Sequence, residues 1–439
     1  MSGARRIAHS RIFTPEDRAA SPYFYLPIDV PVGCAGLTVE LDYDRSVGVL
    51  DLGCFGPNGF RGWSGGARSR YAISPSAATP GYLPGELEPG EWSVVLGLHR
   101  VAAPRLRWRV DVTLGAIESG EDVAPHRDGA LPPLPERPPR RNLPAEPGWR
   151  WLAGDLHAHT VHSDGDRTIE ELAGLAAGAG LDFLAVTDHN TVSHHPLLAA
   201  AGAGAGVILI PGQELTTHRG HANAFGDIGW IDFREPADAW VREVAERGGL
   251  LSVNHPLASD CAWREPLTVR PPLAEIWHWT WLDRRWGGPM AWWLAWDPAT
   301  VPVGGSDFHR PDQGRPLGQP TTWVLCEDSD GRTAQNGPEE AAGRTARNSS
   351  GRAARSDAVD MVLAGLAGGR TSVSMGRDGP VLLRQGDELL AIDADGTVLA
   401  DLSGRRRMVR GASAPFPAPN EPGPNWLEDD QTAVLALCG

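Results

Sequence analysis

Five short clusters of His, Asp and Glu between Asp155 and His309 bring together side chains that bind metal ions. They are Asp155-Leu-His157-Ala-His159 running on to His162 and Asp164, then Asp188-His189, then Glu214 followed by His221, then Asn254-His255, and last Asp307-Phe-His309. Eleven of the 14 histidines fall in this stretch, and only His9, His99 and His126 lie elsewhere. Core packing gives no reason for such crowding, because an imidazole is costly to bury unpaired. Mixed imidazole and carboxylate donors suit zinc, manganese or iron. They also exceed the four ligands of a structural zinc centre, which predicts a reactive metal site. A bridging carboxylate holds two cations about 3.5–4 Å apart, and a metal-bridging hydroxide then attacks a phosphorus or carbonyl carbon.

Such side chains need a frame. Each cluster follows a short apolar run, and seven candidate strands emerge at 151–156, 183–187, 207–210, 222–225, 250–253, 274–277 and 301–304. Helical stretches at 168–179, 238–247 and 290–295 separate some of them. Strands alternating with helices indicate βα units, which place chemistry at the carboxyl ends of their strands, and seven in one run predict a closed barrel. Alternate residues leaving a strand point the same way, so His157 and His159 suit one ion.

The segments before and after differ in texture. Residues 1–121 contain alternating runs at 37–43, 48–52, 92–98 and 106–112, broken by Gly and Pro, and predict a β-sandwich-like domain. Residues 122–147 are rich in Pro and Arg and read as an extended linker. The barrel is expected over 148–327, a disordered insert over 328–356, and a helix with short strands that complete or flank the barrel over 357–439. The proline-rich end is expected to be loose until about 432.

The ordered clusters resemble the polymerase and histidinol phosphatase (PHP) superfamily, whose members have a distorted seven-stranded (β/α)7 barrel and a two- or three-metal site. The resemblance covers about 151–327. Within it, Gly212-Gln-Glu214 with Gly220-His-Ala-Asn looks most like the CehA/McbA branch of carbaryl-hydrolase-like enzymes. The resemblance implies that His157, His159, Glu214 and Asp307 hold one metal. Glu214 would bridge to a second, completed by His221 and His255, and Asp164, His189 and His309 would form a third site. It also implies Glu214 and Asp307 as catalytic carboxylates. Asp155 and Asp188 would orient imidazoles or the nucleophile, and Asp188 joins the catalytic set on that ground.

Around these lie residues with weaker signals. His278 ends the sixth predicted strand and points toward the mouth on period alone, which makes it a substrate contact candidate. Arg219, Arg264 and Arg310 follow ligand clusters; a guanidinium grips oxyanions bidentately, and solvated surface arginine is the alternative. His162 is either a ligand or a loop hydrogen-bonding group, His194 and His195 open a helix, and His218 lies near the third cluster. Seven tryptophans between Trp277 and Trp296 are divided between core packing and the wall of an apolar pocket.

Composition narrows the function. A net charge of -15 argues against nucleic-acid and anionic-membrane partners, which need a basic face. No apolar run reaches the roughly 18 residues of a membrane span. The five cysteines lack paired spacing, which with the polar beginning of the chain predicts a reduced, cytoplasmic protein. The sequence therefore predicts a hydrolase of a small-molecule ester. The superfamily resemblance implies a phosphate mono- or diester, the resemblance to the carbaryl-hydrolase branch implies a carboxylic or carbamic ester as the alternative, and a non-catalytic binding protein is the third reading.

Overall fold

The structure, a computed structural model, describes residues 5–102, 104–117, 135–259, 261–278, 288–328, 351–420 and 423–439, with 351–356 described by backbone alone. The chain forms two compact units. The first comprises Met1–Pro132 with the short segments His159–Thr168 and Asp188–Pro196; the second comprises Pro133–Ala158, Ile169–Thr187 and Leu197–Gly439.

The first unit is built on β1 (Arg5–Phe13), α1 (Pro15–Ala20), β2 (Tyr23–Val30), β3 (Leu37–Tyr43), β4 (Gly48–Gly56), β5 (Gly59–Gly65), β6 (Arg70–Ile73), β7 (Gly90–Val101) and β8 (Leu106–Leu114). Two antiparallel four-stranded sheets result, ordered β1-β8-β3-β6 and β2-β7-β4-β5. Period-2 alternation explains them: Leu37, Val39 and Leu41 of β3 are buried while Glu40 and Asp42 face outward. Leu50, Leu52, Val94 and Leu96 of the other sheet share the same core. Face-to-face packing of two such apolar faces makes a sandwich.

The second unit begins with β9 (Trp149–Asp155), α2 (Ile169–Gly178), β10 (Phe183–Val186), α3 (His195–Ala205), β11 (Ile208–Thr217) and β12 (Gly220–Phe225). It continues with α4 (Ala237–Glu246), β13 (Leu250–Val253), β14 (Leu273–His278), α5 (Gly288–Trp296), β15 (Val301–Gly305) and β16 (Thr321–Glu327). After α6 (Gly351–Ala367) come β17 (Thr371–Ser374), β18 (Val381–Gln385), β19 (Glu388–Ile392), β20 (Val398–Asp401) and β21 (Arg406–Met408). The last strands are β22 (Ser413–Pro417), β23 (Asn425–Glu428) and β24 (Val434–Cys438).

The seven strands β9 to β15 lie side by side in chain order, within a 13-stranded sheet ordered β15-β14-β13-β12-β11-β10-β9-β16-β17-β24-β23-β20-β21. A closed (β/α)7 barrel is not what forms among the described residues. Strand β16 pairs antiparallel along the outer edge of β9, the edge that β15 needs for closure. What links the two ends instead is an isolated bridge, Ala158 to Phe308, and the Thr322 hydroxyl, which accepts from the Gly304 N–H and donates to its carbonyl. The βα alternation is also interrupted, because β11 turns back directly into antiparallel β12 over the 217–220 hairpin. The apolar side of the sheet, with Leu152, Phe183, Ile210, Phe225, Val303 and Val324, is covered by Val362 and Leu366 of α6.

Two further segments depart from expectation. Of the predicted linker, 122–134 lie outside the described residues, as do 329–350 of the insert. The rest of the linker is anchored: Arg137 and Arg140 converge on Asp182, and Arg141 pairs with Asp393. The tail expected to be loose until about 432 forms β22 and β23, and β24 follows it. Prolines 415 and 417 obscured β22, which is an edge strand of the sheet β18-β19-β22, where a missing N–H is tolerated. Among the described residues, no helix is long and apolar enough to cross a membrane.

Candidate metal centre

In the second unit, strand register explains how distant residues meet. Thr216 of β11 pairs with His221 of β12. Glu214, two residues from Thr216, therefore shares a face with His221. The His221 Nδ1–H donates to Glu214 Oε1 across 3.1 Å. His157 leaves β9 and His255 leaves β13, while Asp307 follows β15. His255 and Asp307 have positive φ, 24° and 51°, at these strand ends. A left-handed conformation is costly for such residues and persists where surrounding contacts over-determine it.

The result is a convergence of donors. His157 Nε2 lies 3.2 Å from Glu214 Oε1 and 3.2 Å from Asp307 Oδ1. His255 Nε2 lies 3.4 Å from Glu214 Oε1, and His278 Nε2 lies 3.5 Å from Asp307 Oδ2. Asn254 Nδ2 donates to Glu214 Oε1 at 2.9 Å, holding that carboxylate in place. His157, Glu214, His255 and His278 are all buried.

Glu275, which the sequence did not single out, completes the set. It accepts from His157 Nδ1–H at 2.8 Å and from the His255 backbone N–H at 2.9 Å. A register shift in β14 between Glu275 and Trp277 brings Glu275 and His278 into one group with His157 and His255, although three positions separate them. Burial drives the His157 imidazole down, but Glu275, Glu214 and Asp307 together carry it well above its usual range. Burial likewise opposes Glu275 ionisation, and His157 outweighs it.

These residues fit a divalent cation. Donor spacings of 3.2–3.4 Å match the edge of a tetrahedron with arms of about 2.0–2.1 Å, as at zinc. Three carboxylates in one largely buried site also require compensating positive charge. Asp155 is not part of this convergence: its oxygens accept from the backbone N–H groups of His157, Ser306 and Gly318. It ties the ends of β9 and β15 to the turn before β16.

The short segments of the first unit carry a second group. His189 Nε2 lies 3.5 Å from Asp164 Oδ1, and the His159 and His189 rings stack at 4.3 Å. Asp188 organises their backbone. It accepts from Thr160 N–H, the Thr160 hydroxyl and the Ser163 hydroxyl, with His194 Nδ1 at 3.3 Å. Burial raises the Asp188 carboxyl, but His194, His162 and His159 overcome it and hold it at about 2. Its oxygens are thus engaged in positioning.

Residues 155–255 match the PHP domain family. The match, to that segment alone, supports a PHP domain there. No curated protein matches the chain significantly. Among solved structures, it is similar to a two-domain protein from Bacteroides vulgatus containing a predicted PHP-like metal-dependent phosphoesterase. The two are 16% identical over 69% of this chain and 91% of that one, with a TM-score of 0.39. An amidohydrolase from Chromobacterium violaceum with bound sulfate and no metal is 16% identical over 38% of this chain and 90% of its own, with a TM-score of 0.29.

The three arginines singled out from the sequence lie outside the donor group. Arg219 and Arg264 are exposed and brace the β11–β12 hairpin. Arg219 Nη2 donates to the Arg264 carbonyl, and Arg264 Nη2 donates to the His218 carbonyl. Arg310 is exposed and pairs with Asp312. His309 Nδ1–H donates to the Asp307 carbonyl at 2.9 Å. Four of the seven tryptophans are described, and Trp277, Trp292, Trp293 and Trp296 pack in one apolar cluster. Trp279, Trp281 and Trp286 lie outside the described residues. Cys261 Sγ is 3.3 Å from His255 Nδ1.

Proposed function

We propose that the chain is a metal-dependent phosphoesterase acting on a small phosphate mono- or diester. The observation that carries this reading is the spacing of His157 Nε2, Glu214 Oε1 and Asp307 Oδ1, which is that of ligands around one ion. The ligand assignment is His157, His159, Glu214 and Asp307 for one cation, Glu214, His221 and His255 for a second, and Asp164, His189 and His309 for a third. Zinc, manganese and iron all suit these donors. Bound divalent ions supply Lewis acidity and a nucleophile from water near neutral pH. The chain's own part is positional: Glu275 fixes the tautomer of His157, Asn254 orients Glu214, and Asp188 shapes the loop bearing His159. His278, buried beside Asp307, would be the substrate contact.

One turnover panel tests this reading. Protein loaded with manganese, zinc or iron is offered aryl phosphates, phosphodiesters including cyclic nucleotides, aryl esters and carbamates. Metal-dependent release from a phosphate ester is expected. Turnover confined to aryl esters or carbamates would instead assign a carboxyl or carbamate esterase of the carbaryl-hydrolase type. No turnover by fully loaded protein would leave a binding protein.

A further inference from the structure

We propose that the N-terminal sandwich is a positioning device for the ligand group His159, Asp164 and His189, acting through Gly81, Ser193 and Arg68. The inference rests on the metal-site reading above and adds a role for the first unit, in which these ligands and the sandwich fold together.

The contacts are few and specific. In the connection between β6 and β7, the Gly81 N–H donates to Ser193 Oγ at 3.0 Å, and the Gly81 carbonyl accepts from Thr191 Oγ1 at 2.8 Å. The Ser193 hydroxyl is in turn hydrogen-bonded to His162 Nδ1 at 2.7 Å. Gly81 has a φ of 100°, and a Cβ there would lie 2.8 Å from both the His162 and Trp63 carbonyl oxygens. Only glycine permits both the conformation and the approach. Arg68, from the turn after β5, donates through Nη2 to the Val161 carbonyl.

These contacts fall close to the ligands. Val161 is two residues after His159, His162 two before Asp164, and Thr191 two after His189. Asp188 binds the two segments to each other through Thr160 and Ser163. The sandwich adds what those bonds lack, a rigid external frame. Ordering a loop residue costs on the order of 1–2 kcal/mol, so a frame that orders the loops beforehand raises affinity for the ion they hold. Gly81, Ser193 and Arg68 are therefore positioning residues, and none of them is a ligand.

The test uses the full chain with Ser193→Ala and Arg68→Met. Ser193→Thr serves as the hydroxyl-retaining control, and Gly81→Ala as the stronger perturbation. Amide hydrogen exchange of metal-free protein should rise in 159–164 and 189–194 in the first two variants and stay near wild type in β9 and β11. Metal titration should show affinity weakened by about tenfold or more for the equivalents assigned to His159 and to Asp164 with His189, the equivalent assigned to His221 and His255 unchanged, and recovery in Ser193→Thr. Unchanged exchange in both variants overturns the proposal. So does faster exchange with every metal affinity unaltered. If wild-type protein takes up no metal while loop exchange still rises in the variants, the metal-site reading fails and the framing contact stands.

Discussion

His157 is held by Glu275 on one side of its ring, with Nδ1 to Oε1 at 2.8 Å, and presents its other nitrogen to Glu214 and Asp307. A carboxylate on Nδ1–H fixes the tautomer that leaves the Nε2 lone pair for an ion, and raises its basicity. Replacing Glu275 by Gln keeps the shape and removes the charge. Metal affinity should fall by about 10-fold or more, measured by competition with a chelator. Equal affinity in wild type and variant would show that Glu275 does not act through His157.

Glu214 has a different standing, since His157, His221 and His255 all face its Oε1. Glu214→Ala should lower kcat by about a thousandfold or more and reduce bound metal, measured by elemental analysis beside turnover. The far-ultraviolet circular dichroism should not change, because the strand ladder of β11 does not use that side chain. Full activity in this variant would sink the bridging role.

Much of this site was legible because metal ligation demands residue types that packing avoids. The histidines at 157, 255 and 278 and the carboxylates at 214 and 307 stood out at the ends of apolar runs. Glu275 did not, for a physical reason. It lies inside the apolar strand Leu273–His278, and strict period-2 counting puts it opposite His278. The irregularity after Glu275 overrides that period, and a bulge leaves little trace in one sequence. The fold shows a similar boundary. The seven strands β9 to β15 followed from the apolar runs, whereas β16 was not anticipated. Which strand occupies the free edge of β9 depends on a long-range pairing with β16, and no local pattern encodes it.

Gly305, the last residue of β15, offers a sharper test of packing at the site. A Cβ there would run into Glu275 Oε1 and His157 Cβ. Gly305→Ala must push these two apart or bend β15, at a cost of about 1–3 kcal/mol. We expect a lower Tm and loss of metal binding together. Gly314→Ala, where added atoms meet open space but φ is 75°, should lower Tm modestly and leave metal binding intact. If Gly305→Ala bound metal normally, the close approach of β15 to the His157–Glu275 pair would be unimportant.

Asp51 of β4, which is not itself a proposed ligand, provides a pH-dependent prediction. Burial raises its carboxyl from 3.8 to about 7, only partly offset by the charge of His189. The folded state therefore binds a proton that the unfolded state has released between about pH 4 and pH 7. The stabilising, protonated form is fully present below the unfolded value and is lost as pH rises through the folded one. A shift of this size corresponds to about 4 kcal/mol at most, and partial solvent contact of the side chain reduces it to about half. Asp51→Asn should thus have a higher Tm than wild type above pH 7, with the difference shrinking toward pH 4. A difference in Tm independent of pH would show that the carboxyl ionises normally in the folded protein.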